Sequence, residues 1–368
     1  MIKFYDIYRQ DQKLHVSILN DIKKIFKKGD FILGNDVLSF EKNFSKFCNS
    51  KFSVGCANGT DALTIALKSL NLKKNSEVII PAMTYCSTAF SVINANLKPV
   101  LVDTEFMKST ISIPHLRKKI NNKTKVIMPV HLYGSVMNIN EIKKIVRGKK
   151  IFIIDDCAQA HGAYYQNKKR VGGSNITKIS TFSLYPGKNL GAYGDGGIIT
   201  TDDKKICNKI KTIRNIGALT KFNHETIGFN NRLDTLQASI LIHKLEQLDQ
   251  LNKKRMNIYK SYLKKIINPK IYFLKYTAYS VYHQFVVKVN NRKKFINYMT
   301  KNKIQTGIHY PHTINQMKYF KKNYKRKKFP NAEYLAKKCV SLPIDPMLSK
   351  KEINYVIKKI NNFNNFKN

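Results

Sequence analysis

The 368-residue sequence has no tryptophan and few acids, 23 Asp and Glu against 66 Lys and Arg. It also lacks long apolar runs. The longest, Glu77-Val-Ile-Ile and Lys150-Ile-Phe-Ile-Ile-Asp155, are strand-sized and far short of the roughly 18–20 residues that span a bilayer. The opening Met1-Ile-Lys-Phe-Tyr-Asp-Ile-Tyr-Arg9 has no apolar core and no small-residue cleavage site, so no secretory signal is expected. The six cysteines, Cys48, Cys56, Cys86, Cys157, Cys207 and Cys339, are scattered without a CxxC pair or Cys/His cluster. That excludes a disulfide framework and a structural zinc site, predicts no metal, and reads as a reducing, cytoplasmic compartment. Gly187-Lys188 lacks the upstream glycine spacing and Ser/Thr of a P-loop, and Gly191-x-x-Gly194-x-Gly196 does not match a dinucleotide fingerprint. A nucleotide hydrolase and an NAD enzyme are therefore disfavoured. No internal repeat and no low-complexity linker is found.

The net charge of +43 admits nucleic-acid binding or the steering of anionic, phosphate-bearing ligands. Lys-Lys pairs are spread evenly, as at Lys23-Lys24, Lys118-Lys119, Lys204-Lys205 and Lys358-Lys359, so biased composition and a solvated surface account for most of them. Only Lys321-Lys-Asn-Tyr-Lys-Arg-Lys-Lys328 is a dense basic cluster.

Through the first two-thirds of the chain, short apolar runs alternate with helical patterns. The predicted strands are Val78–Ile80, Val100–Val102, Val126–Val130, Phe152–Ile154, Ile179–Leu184 and Gly197–Thr200. The predicted helices are Asp61–Leu70, Ile139–Val146 and Lys204–Ile213. This order predicts a doubly wound, mostly parallel α/β sheet with helices on both faces. A long helix, Leu233–Tyr262, then connects to a further strand at Tyr282–Val289 and shorter elements. The division is placed near residue 245, with a large domain over 1–245 and a smaller C-terminal α+β domain over 246–368.

Three segments carry chemistry. In Ser183-Leu-Tyr-Pro-Gly-Lys-Asn-Leu-Gly-Ala-Tyr-Gly-Asp-Gly-Gly197, five of the 17 glycines fall between Gly187 and Gly197. Such density implies positive-φ backbone, or backbone closely approached by a ligand. Lys188 lies inside this loop after an apolar strand, and a lysine held there in a protected cleft forms imines with carbonyl compounds. In Ile151-Phe-Ile-Ile-Asp-Asp-Cys-Ala-Gln-Ala-His161, two acids end a buried strand, where open α/β sheets bind ligands. A carboxylate there keeps a pyridinium nitrogen protonated, while the other acid caps or orients. Ala57-Asn-Gly-Thr-Asp-Ala-Leu63 opens a helix and reads either as an anion site or as ordinary capping by Thr60 or Asp61.

With these segments in view, the chain resembles the DegT/DnrJ/EryC1/StrS sugar aminotransferases, pyridoxal 5'-phosphate (PLP) enzymes of fold type I. The resemblance runs through Phe31-Ile-Leu-Gly34, Asn58-Gly-Thr-Asp-Ala-Leu63, Pro81-Ala-Met-Thr-Tyr85, Val130-His-Leu-Tyr-Gly134, Asp155-Asp-Cys-Ala-Gln-Ala160 and the Lys188 loop. It continues through Gly228-Phe-Asn-Asn-Arg-Leu-Asp-Thr-Leu-Gln-Ala238, His309-Tyr-Pro311 and Ser341-Leu-Pro343. The resemblance implies a large domain with a mostly parallel, seven-stranded-type sheet. It implies that Lys188 is the Schiff-base and proton-shuttling lysine, that Asp156 meets the pyridine nitrogen, that Gln159 lies beside O3′ and that Tyr85 stacks on the ring. Gly59, Thr60 and Ser183 match the phosphate cradle. Asn230 matches an asparagine that reaches the phosphate from the neighbouring subunit of a homodimer. Leu184 replaces a common Phe, and Asp155-Asp-Cys157 replaces the commoner Glu-Asp-Ala. Lys188 itself excludes the dehydratase branch that carries His.

The same resemblance implies transamination from glutamate to a nucleotide-linked keto hexose, at C3 in preference to C4, with dTDP and UDP both open. The product would feed a surface polysaccharide or a glycosylated metabolite. Tyr185, Arg232, His309 and Tyr310 are the substrate-binding candidates, with His283 behind them. Two other readings compete: a PLP enzyme acting on a non-nucleotide keto compound, and a basic protein that binds nucleic acid through Tyr319–Phe329 on an idle scaffold.

Overall fold

The computed structural model describes residues 1–173, 177–220, 222–324 and 327–365. The apolar runs become strands of one seven-stranded sheet: β1 (Phe52–Cys56), β2 (Glu77–Pro81), β3 (Lys98–Val102), β4 (Thr124–Ile127), β5 (Phe152–Asp156), β6 (Ile179–Ser183) and β7 (Gly197–Thr201). Their spatial order is β1-β7-β6-β5-β4-β2-β3. Strands β3, β2, β4, β5 and β6 pair in parallel, and β7 runs antiparallel to both β6 and β1. The reversal has a local cause. The β6–β7 connection contains no crossover helix, so the chain returns beside the strand it left. That helix-free connection is the Lys188 loop.

Alternate residues of the central strands feed opposite cores, as the two-residue strand period requires. Val78 and Ile80 join one apolar cluster while Ile79 joins the other, and Ile154 and Ile153 divide in the same way. Strand β1 escaped the apolar-run reading because Ser53 and Gly55 interrupt its pattern; it is an edge strand in register with β7, Val54 opposite Ile199.

The predicted helices appear as Gly59–Ser69, Ile139–Val146 and Lys204–Arg214. After the last of these, a small hairpin forms from β8 (Ala218–Thr220) and β9 (Asn223–His224). The long connector is the continuous helix Thr235–Lys265. Its first half packs Ala238, Leu241, Leu245 and Leu248 onto the large sheet, and its second half gives Ile258 and Tyr262 to a separate cluster. That cluster covers the antiparallel sheet β10 (Ile271–Phe273), β11 (Phe285–Val289) and β12 (Cys339–Leu342). The division expected near residue 245 falls inside this helix. Strand β11 starts at Phe285, later than Tyr282, because Tyr282 has a left-handed backbone (φ 48°) that breaks the extended run.

Among the described residues, no helix is long and apolar enough to cross a membrane. Of the basic Lys321–Lys328 segment, 325 and 326 lie outside the described residues. Its aromatic neighbours do structural work: Phe320 stacks on Phe90, Phe329 stacks on His115, and the Tyr324 hydroxyl donates to the Pro99 carbonyl at 2.7 Å. Phe320 and Phe329 are buried and therefore not displayed for base stacking.

Candidate active site

The topology sets the site at the carboxyl ends of the parallel strands. Asp156 ends β5, Ser183 ends β6, Pro81 ends β2 a few residues before Tyr85, and Lys188 follows β6. Asp156 is buried; its Oδ2 accepts from Thr88 Oγ1 at 2.8 Å and its Oδ1 from the Ala158 amide at 3.2 Å. Burial raises the Asp156 pKa, opposed by the Thr88 and Ala158 hydrogen bonds and by the positive charge of Lys188. Burial lowers the Lys188 pKa to about 8, while the negative charge of Asp156 pulls it back up. An amine with that pKa is partly unprotonated near neutral pH, which nucleophilic attack on a carbonyl requires.

The Lys188 loop is held by its own backbone. The Lys188 amide donates to the Tyr185 carbonyl at 2.9 Å, and those of Leu184 and Ala192 close the loop on Gly196 and Leu184. None of Gly187, Gly191, Gly194, Gly196 and Gly197 has positive φ. Glycine is needed at Gly191 and Gly197 because the carbonyls of Pro186 and Asn58 occupy the space a Cβ would take. The expected close approach is therefore made by the chain itself.

The Gly59–Ser69 helix begins at an Asn58 cap, whose Oδ1 accepts from the Asp61 amide at 2.9 Å. The cap is thus neither Thr60 nor Asp61, and the first-turn N–H groups of Gly59 and Thr60 stay available for an anion. Gly59 lies against Ser183, with the Ser183 Cβ 2.6 Å from where a Gly59 Cβ would stand. Thr60 Oγ1 bonds Ser87 Oγ at 2.7 Å. Gly59, Thr60, Ser183 and Ser87 thus share one polar corner at the helix start.

Tyr85, half exposed, faces Tyr310 with ring centroids 5.4 Å apart. Gln159 Nε2 donates to the Tyr310 hydroxyl at 3.0 Å, and its Oε1 accepts from the Tyr133 amide at 2.5 Å. His309 Nδ1 pairs with Ser341 Oγ at 2.8 Å, its ring stacks on Phe4, and burial lowers its pKa to about 4. Tyr185 is exposed at the loop. Asn230 and Arg232 flank Asn231, whose carbonyl accepts from the Ala57 amide at 3.1 Å beside the helix-start corner. Asn230 is exposed and bridged to Asn215, and Arg232 Nη1 donates to Asn215 Oδ1 at 3.4 Å.

Several contributors went unread in the sequence. Thr88 and Ser87 lie one helical turn beyond the Thr84-Tyr85 pair; the hydroxyl-rich Thr84-Tyr-Cys-Ser-Thr88 was the available signal. Behind Lys188, His283 Nδ1 bonds Asn189 Oδ1 at 3.0 Å, Asn189 Nδ2 donates to Asn252 Oδ1 at 2.8 Å, and Asn252 Nδ2 donates to the His161 carbonyl at 2.9 Å. This buried relay ties the lysine loop to the long helix and to the approach to β11. On the other side of Asp156, His131, Asp155 and Cys157 bring three potential metal ligands within 4.8 Å. Hydrogen bonding explains them instead. His131 Nδ1 accepts from the Met137 amide, which leaves the proton on Nε2, 3.3 Å from Asp155 Oδ2. Asp155 also accepts from the Tyr165 hydroxyl, and burial pushes the Cys157 thiol well up, away from the thiolate a metal needs.

A lysine of lowered pKa near a buried aspartate, at the carboxyl ends of the central strands of a mostly parallel sheet and beside a helix start with free N–H groups, makes an aminotransferase-type site. The model of the DegT/DnrJ/EryC1/StrS aminotransferase family matches residues 12–361, and the chain belongs to that family. It is 38% identical, over 99% of both chains, to a dTDP-3-amino-3,6-dideoxy-alpha-D-galactopyranose transaminase of Aneurinibacillus thermoaerophilus. It is 32% identical, over 98% of this chain and 100% of the other, to a UDP-2-acetamido-2-deoxy-3-oxo-D-glucuronate aminotransferase of Pseudomonas aeruginosa. Its fold superposes on S. venezuelae DesV, solved in complex with a ketimine intermediate, with a TM-score of 0.96, 30% identity and coverage of 100% and 99%.

Proposed function

We propose that this aminotransferase uses pyridoxal 5'-phosphate to move an amino group from glutamate to C3 of a nucleotide-linked keto hexose, in the cytoplasm, for a surface polysaccharide or glycoside. The observation that carries the reaction is the Lys188–Asp156 pair, an amine lowered to a pKa of about 8 beside a buried carboxylate. The substrate class rests on relatives named for 3-amino and 3-oxo nucleotide sugars, matched along nearly their full length.

The residues present fit the cofactor. Gly59 and Thr60 N–H groups with Ser183 would hold its phosphate, Asp156 its ring nitrogen, Tyr85 its face and Gln159 its phenolic edge. When bound, pyridoxal phosphate supplies a carbonyl for amines and an electron-withdrawing ring. Lys188 holds and moves the proton between the substrate carbon and the cofactor. Asp156 keeps a proton on the ring nitrogen; Thr88 and Ala158 use part of its lone-pair capacity and leave the rest for that contact. His309, neutral at physiological pH, Tyr310 and Tyr185 line the sugar side.

Residues 1–245 would form the cofactor-binding domain and 246–368 the small domain. A homodimer completes the site: Asn230 and Arg232 follow a hairpin whose Leu219 and whose neighbour Ile227 expose apolar surface to solvent. A second copy covering that surface would receive Asn230 beside its own phosphate cradle. The test is absorbance of the purified protein with PLP, before and after glutamate. A band near 410–420 nm, the usual range for a lysine-bound cofactor, should move to about 330 nm and be restored by a nucleotide-linked 3-keto sugar. No band in the wild type, or the same band in Lys188→Ala, refutes the assignment.

A further inference from the structure

Arg255 is a buried cation that the site just described does not use. It lies on the Thr235–Lys265 helix, three residues after Asn252, and so on the same face as the side chain that bonds Asn189 beside Lys188. Only 5% of it is exposed, and among the described residues its Nη1 has no hydrogen-bond partner. Among the described residues Asp345 is the one acid whose charge it feels, yet Asp345 is committed elsewhere. Its oxygens accept from the Asp6 amide (2.9 Å), Gln10 Nε2 (2.7 Å) and the Met347 amide (2.9 Å). No ion pair of Arg255 within 4.0 Å occurs among the described residues. A buried guanidinium without a counter-charge is costly, and such groups are otherwise found paired.

The surroundings say which anion would fit. Tyr5 feels the charge of Arg255, and its ring reaches the lysine loop, with Cε2 3.5 Å from where a Gly187 Cβ would stand. Gln284 Nε2 donates to the Tyr5 hydroxyl at 3.4 Å, which leaves the phenolic proton to be donated onward. His283, next to Gln284, is held neutral by burial and by the cations Lys188 and Arg255 around it. A guanidinium with an unpartnered nitrogen and a phenol within reach of its charge, the phenol's ring against the lysine loop, match a carboxylate, which accepts from both. A nucleoside diphosphate is a poor occupant, because its charge and bulk call for an open groove.

We propose that Arg255, assisted by Tyr5, binds a carboxylate of the amino-acid donor. This rests on the aminotransferase reading above and adds to it the group that selects the donor. The carboxylate could be the α-carboxylate shared by every amino acid or the side-chain carboxylate of glutamate, and the donors tested separate the two.

The experiment follows the donor half-reaction of the holoenzyme with L-glutamate, L-glutamine and L-alanine in wild type, Arg255→Lys, Arg255→Met and Tyr5→Phe. Losing a buried charge partner should raise the half-saturating donor concentration by about 30-fold or more in Arg255→Met, with Arg255→Lys between. Tyr5→Phe, which keeps the ring packing, should show a several-fold rise. The response of the aminated enzyme to keto sugar should stay within about twofold of wild type. Loss with all three donors assigns the α-carboxylate; loss with glutamate alone assigns the side chain. Unchanged donor dependence, or equal loss in both half-reactions, overturns the proposal. Thermal stabilisation by glutarate provides a readout without turnover, expected in the wild type and absent in Arg255→Met. If the wild type responds to no amino acid, the aminotransferase reading fails. Glutarate then decides Arg255 alone: stabilisation lost in Arg255→Met supports it, and none in the wild type overturns it.

Discussion

Replacing Lys188 by Met should stabilise the cofactor-free protein at neutral pH. Burial lowers the amine's pKa from its ordinary 10.5 to about 8, with the opposing pull of Asp156 already included. At about 1.4 kcal/mol per pH unit, the partly buried ammonium costs the fold up to about 3 kcal/mol below pH 8. Between pH 8 and 10.5 the unfolded chain binds the proton that the folded chain has released, so wild-type stability rises with pH through that window. Met fills a similar volume and carries no charge. Lys188→Met should therefore exceed the wild type by about 2–3 kcal/mol at pH 7, and the gap should shrink by about 2 kcal/mol on going to pH 9.5. Comparing the variants cancels the many surface lysines that titrate in the same range. Urea unfolding followed by far-ultraviolet circular dichroism, on protein stripped of cofactor, measures both quantities. A variant no more stable than the wild type at pH 7, or a gap indifferent to pH, would refute the claim that this lysine is held at an energetic cost.

Thr88→Val removes the 2.8 Å hydrogen bond to Asp156 Oδ2 while keeping the shape of the side chain. Hydrogen bonds to charged groups contribute about 1.5–3 kcal/mol, so the unfolding free energy from urea titration should fall by that amount, and the cofactor's dissociation constant, read by equilibrium dialysis, should rise. His161 is held neutral by burial, its pKa lowered from 6.5 to about 3. Its contribution is fully present above pH 6.5 and is lost as the pH falls towards 3, because only the unfolded chain takes up the proton. His161→Phe should flatten the acid limb of stability by about 1.4 kcal/mol per pH unit in that window, and an unchanged limb between pH 6 and 4 would refute the burial argument.

The features legible in the sequence are those where the backbone does the work. Strands Val78–Ile80 and Phe152–Ile154 were legible because burial on both faces leaves a continuous apolar run, and the Lys188 loop because close chain approaches at Gly191 and Gly197 demand glycine. Strand β1 was not, since an edge strand tolerates Ser53 and Gly55. The cap at Asn58 was assigned to its neighbours because Asn, Thr and Asp are all good caps, and only the helix start decides among them. The groups hardest to read are recruited across long stretches of chain. Asn189 meets His283 and Asn252, and Tyr5 meets Gln284, through contacts that span from 63 to 279 positions. In sequence, Asn252 and Arg255 look like ordinary polar residues on a helix whose basic neighbours include Lys253 and Lys254. What separates Arg255 from those lysines is burial, with Asp345 of the C-terminal part and Tyr5 of the N-terminus near its charge. A chain with 66 basic residues hides its functional cations among solvated ones. Lys188 was found because glycines and a strand end surround it, whereas Arg255 emerges only when each buried charge is asked where its partner lies.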